Sequence, residues 1–110
     1  MDSLKVLGQQ ADATTAAVPL YTVPSLTSTT ASTLMVCNRT SGLLTFRVSV
    51  HVAGAGADNK QYIFYDVPLN GNTSLSVTIG MTIAEDDVVN AFASGTGLSF
   101  NLFGVETSAQ

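Results

Sequence analysis

The side chains that catalysis most often recruits are few in this chain. One histidine, one cysteine and eight carboxylates are spread over 110 residues. His51 stands two residues from Ser49, a spacing that brings a nucleophile and a base into consideration. On a strand the two share a face at about 7 Å, which is too far for a direct hydrogen bond. No Gly-x-Ser-x-Gly elbow accompanies them. His51 therefore reads as a surface or interface histidine, and an enzyme would need Ser49, His51 and an acid to converge in the fold. Asp58-Asn59 and Glu85-Asp86-Asp87 are the oxygen-rich clusters, but neither has the spacing of a calcium loop. They read instead as turn caps, since an Asp carboxylate accepts from nearby backbone N–H groups. Cys37 has no partner for an internal disulfide and reads as a small buried hydrophobe. Two glycosylation sequons begin at Asn38 and Asn72 and read as chance matches in a Ser/Thr-rich chain. Gly54-Ala55-Gly56 and Gly95-Thr96-Gly97 precede no helix and so cradle no phosphate. Tyr21, Tyr62 and Tyr65 are able to stack on sugar rings if exposed. No catalytic, cofactor or metal-binding residue is assigned.

The elements that would carry these residues are strands. From Leu43 to Val52, Phe46, Val48, Val50 and Val52 alternate with Thr45, Arg47, Ser49 and His51. A period of two means a strand with one buried face. Thr73 to Ile79 repeats the pattern through Leu75, Val77 and Ile79, and Leu98 to Phe103 through Leu98, Phe100 and Leu102. Thr33 to Asn38, the aromatic Gln61 to Val67, and Val88 to Ala93 add three more strands. Leu4 to Leu7 and Leu20 to Val23 are edge candidates, the second bracketed by Pro19 and Pro24. Asn38 to Gly42, Asn70-Gly71-Asn72 and Ser94 to Gly97 are turns, and Ala53 to Asn59 is a longer flexible loop. The expected fold is all-β: one antiparallel sandwich of seven or eight strands over residues 1–110, jelly-roll or immunoglobulin-like in strand order. The expected core is Val36, Phe46, Val48, Val50, Phe64, Leu75, Val77, Ile79, Phe92, Phe100 and Leu102.

Composition narrows the function. Charged residues make up 11%, against about 25% in an ordinary soluble domain. Ser and Thr fill 25 positions instead. Lys5, Arg39, Arg47 and Lys60 are the only cations, and the net charge is −4, so a nucleic-acid face is excluded. A hydrophobic share of 45% and a mean hydropathy of +0.32 exclude disorder. No apolar run reaches membrane-spanning length and no signal peptide is visible, so the expectation is cytoplasmic synthesis without a membrane partner. A surface this poor in charge is suited to being covered by other protein copies.

The segments Lys5-Val6-Leu7-Gly8-Gln9, Leu20-Tyr21-Thr22-Val23-Pro24, Val36-Cys37-Asn38-Arg39, Phe46-Arg47-Val48, Tyr62-Ile63-Phe64-Tyr65-Asp66 and Leu98 to Glu106 resemble small virion proteins of tailed bacteriophages. The resemblance covers nearly the whole chain, and its motifs are structural. It implies a non-enzymatic capsid decoration or cement protein made in the bacterial host cytoplasm. It implies a major capsid protein or other virion proteins as partners, and self-association as a trimer or ring. A tail, neck or fibre module is an alternative in the same setting. A carbohydrate-binding module working through the tyrosines is an alternative of another class. The stretch Gln9 to Pro24 reads either as a loop and first strand or as part of an extended N-terminal arm over residues 1–24. In the second case Val18, Leu20, Tyr21 and Val23 would form the interface.

Overall fold

The structure is a computed structural model that describes residues 2–11 and 17–108. Eight strands run through these residues: β1 (Asp2–Ala11), β2 (Val18–Thr22), β3 (Thr27–Asn38), β4 (Leu44–His51), β5 (Tyr62–Leu69), β6 (Ser74–Ile83), β7 (Val88–Ala93) and β8 (Leu98–Ser108). They form two antiparallel four-stranded sheets, ordered β1-β8-β3-β6 and β2-β7-β4-β5. Each sheet mixes strands from both ends of the chain, which is the double Greek key of a jelly roll. An immunoglobulin-like order, the other arrangement that alternation allowed, is thereby set aside.

The core is closed by residues from both sheets. Leu34, Val36, Leu98, Phe100 and Leu102 of one sheet meet Phe46, Val48, Val89, Ala91 and Ala93 of the other. Phe46 sits at the centre, with ring centroids 5.9 Å from both Phe64 and Phe100. The expected core needs correction in places. Val50, Phe64, Leu75 and Ile79 are half-buried and pack against the core from its margin, and Val77 is half-buried as well. Phe92 faces outward, since Val89, Ala91 and Ala93 take the inward positions of β7. The two inward alanines leave room for the Phe46 ring.

Several strands are longer than the sequence pattern suggested. β1 spans Asp2–Ala11 rather than Leu4 to Leu7, and β6 runs to Ile83 rather than Ile79. β3 begins at Thr27 rather than Thr33, and β8 runs to Ser108 rather than Phe103. In the added part of β3 the inward positions are Thr29 and Ala31, which carry no strong apolar signal. A line of irregular pairing then crosses this sheet. Extra residues fall at Leu7 of β1, Ser32 of β3 and Ile79-Gly80 of β6. Bulges bend the strand that carries them. At the bend a Cβ on Gly104 would lie 2.2 Å from the Thr30 carbonyl oxygen, so only glycine fits.

The turns behave as their chemistry demands, with two changes. In Asn70-Gly71-Asn72 the positive φ, 56°, falls on Asn72. Gly71 is required by space, because a Cβ there would be 2.3 Å from the Ser41 backbone. Asn38, at the first sequon, is 1% exposed. Its amide donates to the carbonyls of Gly42 and Leu69 at 2.9 and 3.0 Å, and its oxygen accepts from Thr40. The segment expected as a flexible loop after β4 is instead two single turns of 3₁₀ helix, Val52–Gly54 and Asn59–Gln61. Asp58 and Gln61 form a capping box on the second, and Gln61 Nε2 reaches back to the Gly56 carbonyl at 2.7 Å.

Candidate functional site

Three polar clusters stand out from this scaffold. The first is built by β4 and the pinned loop. His51 is 7% exposed, because residues 52–61 fold over the outer face of β4. Ser49 Oγ lies 2.8 Å from His51 Nε2, which corrects the expectation that the two could not meet. Backbone spacing sets the distance between Cα atoms, whereas the imidazole is long enough to lean back along the strand to the hydroxyl. His51 Nδ1 faces the Ala55 carbonyl at 2.8 Å. A carbonyl only accepts, so Nδ1 carries the proton and Nε2 accepts. It accepts from Ser49 and from Asn90 Nδ2, the latter at 3.1 Å. Nδ1 thus holds the loop to the strand, while Nε2 is engaged by Ser49 of β4 and Asn90 of β7. The orienting group is a neutral carbonyl, where a catalytic triad has a carboxylate to stabilise the imidazolium.

The loop is tied down a second time by Asp87, which is 8% exposed. One carboxylate oxygen accepts from Ala53 N at 2.8 Å and the other from Ala84 N at 2.9 Å. The acidic turn is therefore a cap, as its sequence suggested, and it also reaches across to the β4–β5 connection. No group of three or more metal-ligating side chains forms among the described residues.

Beside the histidine, the outer face of β4, β5 and β7 carries the second cluster. Arg47 donates to Asp66 through Nε at 2.6 Å and through Nη2 at 3.2 Å. Its guanidinium lies 4.2 Å above the Tyr65 ring and 5.4 Å from that of Phe92. Tyr65 in turn meets Tyr62 edge-on at 4.9 Å. Asp66 reaches this position because it occupies a bulge in β5 with φ of 51°, a left-handed conformation that Asp tolerates. The arginine beside it holds its carboxyl below the ordinary carboxylate range. Arg47, Ser49, Tyr62, Asn90 and Phe92, with Ala17 and Ala91, line a cavity of about 160 Å³.

The third cluster joins the two sheets through β2. Tyr21 is 7% exposed, and its hydroxyl sits 2.5 Å from Glu106 Oε2 and 2.8 Å from Thr29 Oγ1. The phenol donates to the carboxylate and accepts from the threonine. Burial, reinforced by the neighbouring Glu106, pushes the Tyr21 phenol up from 10.0 to about 12. The Tyr21 hydrogen bond holds Glu106 below its ordinary value, and Lys5 at 3.2 Å adds to this.

The candidate residues from the sequence are distributed as follows. Leu20, Tyr21 and Val23 are buried within the chain's own sandwich, and Val18 is half-buried. β2 is the outermost strand of its sheet, and β1 crosses its edge, where Gln10 Nε2 donates to the Pro19 carbonyl at 3.2 Å. β1 pairs with β8 and β2 with β7, while residues 12–16 in the middle of the arm reading lie outside the described residues. Cys37 is half-buried on the outer side of β3, where Val36 and Asn38 take the inward positions. Of the three tyrosines, Tyr65 is 57% exposed, Tyr62 is half-buried and Tyr21 is closed off. Sequence reasoning missed the Ser49–His51–Asn90 and Tyr21–Thr29–Glu106 networks. Their members are far apart in the chain or share a strand at a spacing that seemed too wide.

Solved structures contain the same sandwich. A chain from the T13 particle of infectious bursal disease virus superposes with a TM-score of 0.54 over 96% of this chain, at 11% identity. Chains from the Gt and Gx strains of that virus each give 0.52 over 96%, at 10% and 12% identity. The likeness is one of fold. The chain spans about a third of the length of these relatives, 30–32% of each. No protein-family model matches the sequence, and no curated protein matches it.

Proposed function

We propose that this chain is a non-enzymatic virion structural protein of a bacteriophage, a decoration or cement subunit that stabilises the particle by self-association and lattice contacts. The observation that carries this reading is the eight-stranded jelly roll in the order β1-β8-β3-β6 over β2-β7-β4-β5, an architecture it shares with chains of a virus particle. Jelly rolls also serve lectins and cupins, so the surface has to add to the case. It does so in two ways. The outer positions of β3 and β6 are mostly Ser and Thr, including Ser28, Thr30, Ser32, Ser74, Ser76, Thr78 and Thr82, with Met35, Cys37 and Gly80 among them. Such a face is wet enough for solubility yet costs less to desolvate against protein than a charged one, provided its hydroxyls find partners there. On the outer side of β1 and β8, Leu4 and Val6 are 82% and 47% exposed, beside Phe103 and Val105. Apolar surface of this kind marks a contact site.

Quantitative mass spectrometry of purified particles from the phage that encodes the chain tests the reading. The chain should be present in a fixed ratio to the major capsid protein. Its absence from intact particles would refute a virion role. Location decides between decoration of the capsid and a place on the tail, neck or fibre, and gold or antibody labelling in electron micrographs supplies it. The exposed Tyr65 favours a carbohydrate-binding module as the second reading, through the ring face that Arg47 leaves uncovered. Binding of a glycan that is lost in Tyr65→Ala would support it, and silence across a broad glycan panel would end it.

A further inference from the structure

Each sheet of the sandwich has two outermost strands, and their sequences differ in how they discourage pairing. Sheets normally blunt exposed edges with charge, proline, bulges or short length. β2 is five residues long and contains Pro19. β5 carries Pro68 and the Asp66 bulge. β1 carries Asp2 and Lys5. β6 is ten residues long and has neither charge nor proline. Its one irregularity, at Ile79-Gly80, leaves Ser74 to Thr78 as a regular stretch that, among the described residues, is paired to β3 on one side only. This is the kind of segment that adds a strand from another chain.

The side chains of β6 point the same way. Leu75, Val77, Ile79 and Met81 face the core but are only half-buried, although the equivalent positions of the inner strands β3 and β8 are closed. The sandwich thins at this edge, and a strand laid beside β6 would cover what remains open. The outward residues, Ser74, Ser76, Thr78 and Thr82, are small and neutral.

We infer that β6 is a docking edge for a second copy of this chain, joined antiparallel to its own β6 about a two-fold axis. This deepens the structural reading above and rests on it for its biological setting. The second copy is the favoured occupant because β6 is complementary to itself. In an antiparallel pair centred on Val77, Leu75 opposes Ile79 and Ser76 opposes Thr78. Centred on Ser76, Leu75 opposes Val77 and Ser74 opposes Thr78. Both registers set apolar against apolar and hydroxyl against hydroxyl, with no like charges brought together, although the whole chain carries −4. The result is one continuous sheet of eight strands across the dimer, of the isologous kind that two-fold symmetry requires.

Light scattering after size exclusion and cysteine cross-linking test the inference on the full chain. In a Cys37→Ser background, mild oxidation should give disulfide-linked dimers from Ser76→Cys, or from the double variant Ser76→Cys/Thr78→Cys. Thr30→Cys, on the outer face of the inner strand β3, should give none. Ser76→Lys/Thr78→Lys should weaken dimerisation roughly tenfold or more, because like charges then face each other across the edge. Its melting temperature, measured at a concentration where the parent is also dissociated, should match the parent's. A parent that stays monomeric at millimolar concentration, or an oligomer that the lysines leave unchanged, overturns the docking edge. The particle composition reports separately on the virion role. A chain found in particles with an indifferent β6 keeps the role and loses the edge. A β6 dimer absent from particles keeps the edge and loses the role.

Discussion

Removing one oxygen atom, in Tyr21→Phe, tests the link between the two sheets. The ring stays in its buried site, so the apolar contribution of β2 is retained. Two polar contacts are lost. Glu106 Oε2 gives up a donor at 2.5 Å, and Thr29 Oγ1, on a residue 1% exposed, gives up an acceptor at 2.8 Å. A hydrogen bond to a charged group contributes about 1.5–3 kcal/mol, and leaving a buried hydroxyl unsatisfied costs about 1–3 kcal/mol. Glu106 keeps Lys5 at 3.2 Å and has a side chain 15% exposed, so water recovers part of the first loss. The expected destabilisation is about 2–4 kcal/mol. For a chain of this length each kcal/mol lowers Tm by about 4 °C, which gives a drop of roughly 8–16 °C at pH 7.

The pH dependence sharpens this test. The phenol titrates at 10.0 when unfolded and at about 12 when folded, so its contribution is complete below pH 10 and is lost as pH rises through about 12. That interval corresponds to about 2–3 kcal/mol. Glu106 has the opposite sign. Its folded value is lowered, so its contribution is present above the ordinary carboxylate range and is lost as pH falls through the folded value. In Tyr21→Phe the alkaline loss disappears and the acid loss shrinks. The gap between the two proteins should be widest between about pH 6 and 9 and should narrow at both ends. Thermal unfolding followed by circular dichroism across pH 3–11 measures it. A variant within 2 °C of the parent at pH 7, or a gap that does not change with pH, would refute the assignment of the network.

Other substitutions probe the core, the loop anchor and the crossing of the sheets. Phe100→Ala removes a ring that is fully buried against Phe46 and should cost about 3–5 kcal/mol in urea unfolding; a loss under 1 kcal/mol would contradict the register of β8. Asp87→Asn replaces an acceptor facing the Ala84 and Ala53 amides by a group that must turn an NH₂ toward one of them. It should cost about 1–3 kcal/mol and speed hydrogen exchange at those two amides, and unchanged protection there would show that the cap is dispensable. Gly8→Ala places a Cβ 1.9 Å from the Leu20 carbonyl oxygen, whereas Gly42→Ala meets nothing within 4 Å. The first should lower Tm far more than the second, and equal effects would mean that β1 and β2 do not cross where the structure places them.

The strands themselves were legible in the sequence, because alternation is a local property. Phe46 and Val48 against Arg47, or Phe100 and Leu102 against Asn101, declare a half-buried strand without any knowledge of its neighbours. The pattern faltered where inward positions are small or polar. Thr29 and Ala31 hid the first half of β3, and Phe92 drew attention to the outer side of β7. The strand order, and with it the choice of a jelly roll over an immunoglobulin-like sandwich, came only from the tertiary structure, since alternation assigns faces and is silent on partners. The polar networks needed it as well. Tyr21 and Glu106 are 85 residues apart in the chain, and His51 and Asn90 are 39 apart. Their meeting is set by which strands lie side by side. The poverty of charge belonged to the sequence from the start, as did the neutral alternation of Ser74 to Thr78. That this segment lies at an open edge of its sheet was decided by the fold, which placed β3 on one side of it and, among the described residues, no strand on the other.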